Sequence, residues 1–130
     1  MSTPVGIVLV SHSAELAAGL RLLVEQIGSD TVPVVTAAGT EDGRIGTSYD
    51  LVLNAIKIAD RGAGVLVLPD LGSSVLTTRT VLDDHPRPDV VLVDAPFVEG
   101  AVAAVVAAAS GADLQTVVNS AEEARNVRKL

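Results

Sequence analysis

The chain has 130 residues, a formal net charge of −7 and a hydrophobic fraction of 48%, of which aromatic residues supply almost nothing. That length fits one domain, residues 1–130, with a core built from small branched side chains. The acidic balance argues against nucleic acid or an anionic membrane surface as partners, and the absence of cysteine excludes disulfides and thiolate metal sites.

The first element is Gly6-Ile-Val-Leu-Val10, a nearly continuous apolar run of strand length. Such a run reads as a strand buried on both faces, as in a parallel sheet covered by helices. It lacks a preceding basic region and is too short for a signal peptide, so a cytoplasmic location is expected. The run ends at Ser11-His12-Ser13, and Leu16, Leu20, Leu23 and Ile27 then recur at helix spacing. His12 therefore falls in the turn between a strand end and a helix start, the edge where open α/β sheets bind ligands. The first N–H groups of a helix lack intrahelical partners, so they could donate to the oxygens of a phosphoryl group carried on an imidazole. The plainer alternative makes His12 a turn residue, with Ser11 or Ser13 capping the helix.

Thr31–Ala37 holds Val32, Val34 and Val35 around Pro33. Proline donates no ladder bond, so this strand belongs at a sheet edge. A polar loop follows from Ala38 to Ser48, with glycines at 39, 43 and 46. Loops of this length in small domains are commonly functional. Thr47 and Asp50 have the spacing of a capping box, and a helix is expected over about 48–60, burying Leu51, Val52, Ala55, Ile56 and Ala59 and ending at Gly62 and Gly64. Val65–Leu68 reads as a third strand, and Pro69-Asp70-Leu71-Gly72-Ser73-Ser74 leads into a helix to about Asp84, with Val75, Leu76, Val81 and Leu82 inward. Val90–Val93 is a fourth strand and Phe97–Ser110 an Ala- and Val-rich helix. Helix spacing from Leu114 to Val127, with Asp113 as cap, favours one last helix over 113–128 rather than a short strand at Val117-Val118.

Strands alternating with helices give an α/β fold: a mainly parallel sheet of about four strands, with helices on both faces and right-handed crossovers. The order 2-1-3-4 sets strands 1 and 3 side by side, so that His12 and Asp70 emerge at one edge. Asp70 would then hold one imidazole nitrogen and leave the other free as a nucleophile. Alternatively, Asp70 serves as a helix cap or Asx turn. Ser13, Gly72, Ser73 and Ser74 are candidate donors around a phosphate, and the loop residues Gly39, Gly46, Thr47 and Ser48 should rise at the same edge.

Three stretches taken together, Gly6–Ser13, Ala38–Ser48 and Leu68–Ser73, resemble the DhaM family. These are the phosphotransferase subunits of bacterial dihydroxyacetone kinase, similar in turn to the mannose-family enzyme IIA domains of the sugar phosphotransferase system. The resemblance covers nearly the whole chain and implies that His12 is phosphorylated on Nε2 while Asp70 bonds Nδ1. It implies phosphate received from the histidine phosphocarrier protein HPr and passed to ADP on the kinase's nucleotide-binding subunit. No cofactor is then expected on this chain, ADP and Mg belonging to the partner subunit, and a homodimer is the implied assembly. Some members carry phosphocarrier and enzyme-I-like domains on the same chain; here the donor is expected to be a separate protein. Pro69 departs from the family pattern, but it restrains Leu68 to the extended conformation a strand end needs.

Other functions compete with this one. A receiver domain needs clustered acids at the end of strand 1, where Ser11-His12-Ser13 stands, and a lysine after the last strand, whereas Lys57 and Lys129 fall on helices. A nucleotide-binding or scaffold module of the same fold, or an enzyme IIA serving a mannose-type sugar transporter, remains an alternative. Neither Gly-x-Gly-x-x-Gly after strand 1 nor a Walker motif is present. With His12 and His85 the only histidines, and His85 at a helix end, no metal site is expected.

Overall fold

The computed structural model describes residues 3–28 and 30–130. The elements run β1 (Gly6–Ser11), α1 (Ala14–Ile27), β2 (Val34–Ala38), α2 (Tyr49–Ala59), β3 (Val65–Pro69), α3 (Gly72–Asp84), β4 (Val90–Leu92), α4 (Phe97–Ala109) and α5 (Leu114–Glu123), then a 3-10 turn at Ala124–Asn126. All four strands are parallel, as the alternation of elements predicts, and their order is the expected β2-β1-β3-β4. Ile7 stands opposite both Val34 and Leu66, and Val10 opposite Pro69, so β1 and β3 end level with each other. Pro33 lies just before β2, at the edge, and its carbonyl accepts the Ile7 N–H at 2.8 Å.

Successive strand side chains point to opposite faces, which divides the core in two. Ile7, Leu9, Leu66 and Leu68 pack under α1, α4 and α5. Val8, Val10, Val65 and Val67 pack under α2 and α3. Every residue of β1 is buried, Ser11 included. Burying each of these aliphatic side chains stabilises the fold by about 1.5–3 kcal/mol, so the two central strands form a stiff floor. Gly6 permits α2 to lie close on that floor, because a Cβ there would come within 2.2 Å of the Ala59 carbonyl oxygen.

Helices α1 and α3 turn a different face inward from the one their largest apolar residues suggest, whereas α2 buries Val52, Ala55, Ile56 and Ala59 as expected. On α1 the buried residues are Ala17, Leu20 and Val24, while Leu16, Leu23 and Ile27 remain exposed. This helix is apolar around much of its circumference, and the small Ala17 lets it sit close to the sheet. On α3 the inward face is Ser74, Thr78 and Val81, and Leu76 points outward. The polar pair belongs to the site described below. On α2 the cap is Ser48 rather than Thr47, its hydroxyl accepting the Leu51 N–H at 3.3 Å, and Leu51 is only partly buried. The last helix is shorter than its apolar spacing implies: Asp113 caps it, but it gives way at Ala124 to the 3-10 turn and leaves Val127 exposed. No helix among the described residues is long and apolar enough to cross a membrane.

Candidate active site

β1 and β3 are hydrogen-bonded neighbours that end together, and their two turns deliver His12 and Asp70 to one edge. The imidazole Nδ1 lies 2.9 Å from Asp70 Oδ1. The His12 backbone N–H donates to Asp70 Oδ2 at 3.0 Å, so one carboxylate grips both the ring and the main chain of the same residue. Asp70 is itself anchored by its own N–H, which donates to the Val10 carbonyl at 3.0 Å and extends the β1–β3 ladder by one bond.

Three further donors converge on this carboxylate. Ser74 Oγ donates to Oδ1 at 2.7 Å, the Leu71 N–H to Oδ1 at 2.6 Å, and Ser11 Oγ to Oδ2 at 2.9 Å. The Asp70 side chain is only 7% exposed and that of His12 21%. Burial works to raise the Asp70 pKa. Hydrogen bonds from Ser74, the His12 N–H, Ser11 and the His12 ring outweigh it and hold the group down at about 2. Asp70 is therefore a carboxylate at neutral pH. A carboxylate there favours the ring form with its proton on Nδ1, whose N–H would donate to it, and in that form the Nε2 lone pair faces Ser73.

The other ring nitrogen faces α3. Nε2 is in close hydrogen-bond contact with Ser73 Oγ, which lies 3.3 Å from Thr47 Oγ1. The cap residue of α3 is Leu71, which provides no side-chain cap bond. Among the described residues the N–H groups of Gly72 and Ser73 have no hydrogen-bond acceptor. The Nε2 contact thus lies at the start of α3, where Gly72 and Ser73 were candidate donors in the sequence, rather than at the start of α1, the helix that follows His12 in the chain. Ser13 caps α1, its hydroxyl accepting the Leu16 N–H at 3.2 Å.

The long loop after β2 is pinned against the His12 segment. The Gly39 N–H donates to the Ser11 carbonyl and the Gly46 N–H to the His12 carbonyl, each at 3.0 Å. Gly39 has φ of +68° and Gly46 of +151°, conformations in which a side chain is strained. Thr47 reaches the site through Ser73, while Ser48 caps α2 and donates to Glu41 at 2.7 Å. Gly39 and Gly46 therefore shape the backbone, and Thr47 alone of the four loop residues has a side chain bonded within the His12–Ser73 cluster.

Sequence reasoning overlooked the bonds from Ser11 and Ser74 to Asp70. A serine continuing a fully buried strand, and another four residues beyond an aspartate at a helix start, were the available signals. A cavity of about 660 Å³ opens beside Asp70, between α3 and the end of β4, but His12 does not line it. Among the described residues no three of His, Cys, Asp or Glu stand together so as to hold a metal ion.

Known proteins share this arrangement of sequence and fold. The family described as EIIA-man, PTS system fructose IIA component, matches residues 6–118. The chain is 40% identical over 103 residues to the phosphoryl donor subunit DhaM of PEP-dependent dihydroxyacetone kinase 1 from Listeria innocua, covering 79% of this chain and 81% of that one. The chain belongs to the EIIA-man family, in its DhaM branch. It is also 32% identical to the phosphotransferase subunit DhaM of PTS-dependent dihydroxyacetone kinase from Lactococcus lactis, over 91% of this chain and 94% of that one. A crystal structure described as the unknown function protein EF1359 superposes with a TM-score of 0.84 at 32% identity, covering 92% of this chain and 94% of that chain. Membership makes phosphoryl transfer the chemistry to be accounted for.

Proposed function

We propose that this chain is the phosphoryl-carrier subunit of a dihydroxyacetone kinase, and that His12 takes a phosphoryl group from HPr and passes it to ADP on the nucleotide-binding kinase subunit. The observation that carries this is the held imidazole: Nδ1 bonded to an Asp70 that is ionised at neutral pH, Nε2 facing the open start of α3.

In the first step the Nε2 lone pair forms a bond to phosphorus, and the donor's P–N bond breaks, returning its electron pair to the donor histidine. The His12 ring, now substituted on Nε2 and protonated on Nδ1, carries positive charge that Asp70 balances. The Ser73 hydroxyl and the N–H groups of Gly72 and Ser73 can turn to the phosphoryl oxygens, with the positive end of the α3 dipole behind them. In the second step an oxygen of the terminal phosphate of ADP attacks phosphorus, the P–N bond breaks, and Nε2 recovers its lone pair. The ATP so formed on the partner phosphorylates dihydroxyacetone. The homodimer implied by family resemblance and a cytoplasmic location belong to the same proposal.

Incubation with phosphoenolpyruvate, enzyme I and HPr should add one acid-labile, base-stable phosphoryl group. His12→Ala should abolish it and His85→Ala should leave it intact; labelling that survives His12→Ala contradicts the assignment. The family's description as a sugar-system IIA component favours one competing acceptor, a mannose-type transporter subunit. Chasing the labelled protein with the ADP-loaded kinase subunit decides between them, because only the kinase reading predicts ATP.

A further inference from the structure

We propose that Ser11 and Ser74 are positioning residues for this phosphoryl transfer: one hydroxyl on each carboxylate oxygen of Asp70, they lock the carboxylate in the orientation that holds His12 by Nδ1. The inference deepens the phosphocarrier reading and rests on it.

Both serines are 0% exposed, although each lies beside a site that must meet another protein. Ser11 Oγ donates its proton to Asp70 Oδ2 and accepts the Ser13 N–H at 3.1 Å. Ser74 Oγ donates to Asp70 Oδ1 at 2.7 Å and lies 3.4 Å from His12 Nδ1. Thr78, likewise fully buried, donates to the Ser74 carbonyl at 2.8 Å and fixes that turn of α3 from beneath. A hydroxyl has one proton. Once it is given to Asp70, neither serine has one left for a phosphoryl oxygen, so Ser74 acts through the carboxylate while its neighbour Ser73 faces Nε2 directly.

The need for two such bonds follows from the shape of the group they hold. A carboxylate on a single χ1–χ2 pair rotates the more freely the fewer donors hold each of its oxygens. Rotation would carry Oδ1 away from Nδ1 and release the tautomer. The His12 and Leu71 N–H groups place one backbone donor on each oxygen, and the two hydroxyls add a second to each, Ser11 from the strand side and Ser74 from the helix side. Among the described residues no buried side-chain nitrogen or oxygen lacks a partner, so the network is complete.

The test has two parts. In the unphosphorylated protein, nitrogen NMR of the His12 ring should show the Nδ1–H form dominant, and Ser74→Ala and Ser11→Ala should each reduce its share. A role confined to folding would lower the melting temperature and leave the tautomer unchanged, which would overturn the proposal. For transfer from HPr, each single variant should be slowed about tenfold, as for loss of a hydrogen bond to a charged group. In an Asp70→Ala background the same substitutions should cost nothing further, because the group they position is gone. A full second tenfold loss there would mean that the hydroxyls touch the phosphoryl group themselves, and the proposal fails. If Ser74→Ala does not fold, Ser11→Ala carries both measurements. Absence of labelling in the unmodified protein would remove the phosphocarrier reading, whereas the tautomer comparison needs no donor and still decides whether the serines hold the ring.

Discussion

The starts of α1 and α3 lie at the same edge of the sheet and are built differently. The start of α1 has a side-chain cap, Ser13, whose own N–H is taken by Ser11, and its Ala14 and Glu15 N–H groups lie away from the Nε2 contact. At α3 the cap position is held by Leu71, whose own N–H is taken by Asp70, and the N–H groups of Gly72 and Ser73 remain open. A capped helix end contributes stability, and an uncapped one beside a nucleophile contributes a place for an anion. His12 leaves the first turn and leans toward the second. The polypeptide thus draws the nucleophile from one helix start and its electrostatic support from the other.

Substitutions can break that division of labour, and the largest effect should come from the group that joins the two turns. Asp70→Ala should slow transfer from HPr by about a hundredfold or more, because the ring loses both its tautomer and its orientation. Circular dichroism should show the helices intact, and a rate within threefold of the unmodified protein would mean that the carboxylate is dispensable.

The same carboxylate should leave a mark on acid stability. Its pKa is lowered from 3.8 to about 2 by folding, so its stabilising contribution is complete above pH 4 and is lost as pH falls through 2. The size is about 2 kcal/mol, and Asp70→Asn should flatten this part of the curve of unfolding free energy against pH. An Asn variant with an unchanged acid limb would show that other groups govern it.

Ser73 and Ser13 then give the direct contrast between the two helix starts. Ser73→Ala should slow transfer about tenfold with little change in melting temperature, since its hydroxyl serves Nε2 and not a cap. Ser13→Ala should do the reverse, lowering stability by about 1 kcal/mol with a much smaller effect on transfer. Paired rate and melting measurements on the two variants check this; equal effects on both quantities would erase the distinction.

Much of the frame could be read before any coordinates. The buried runs at Gly6–Val10 and Val65–Leu68, the edge-seeking Pro33 and the alternation with helices pointed to a parallel sheet with strand 2 at its edge; the order 2-1-3-4 was a choice among those they permit, and it brought His12 beside Asp70. What stayed hidden depends on rotation and on adjacent equivalents. Helix α1 carries apolar residues on several sides, so periodicity could not say that Ala17 rather than Leu16 lies inward. Thr47 and Ser48 are neighbouring cap candidates, and only backbone geometry chose Ser48. Ser73 and Ser74 are likewise adjacent and chemically identical, yet the helix's rotation of about 100° per residue sends one to the imidazole and the other into the core.

The most direct test of the central claim is the identity of the phosphorylated atom. Phosphorus–nitrogen coupling in the labelled protein, with the imidazole nitrogens resolved, should show phosphorus bonded to Nε2 of His12 and a proton retained on Nδ1. Phosphorus on Nδ1, or on a serine as an acid-stable ester, would contradict the account.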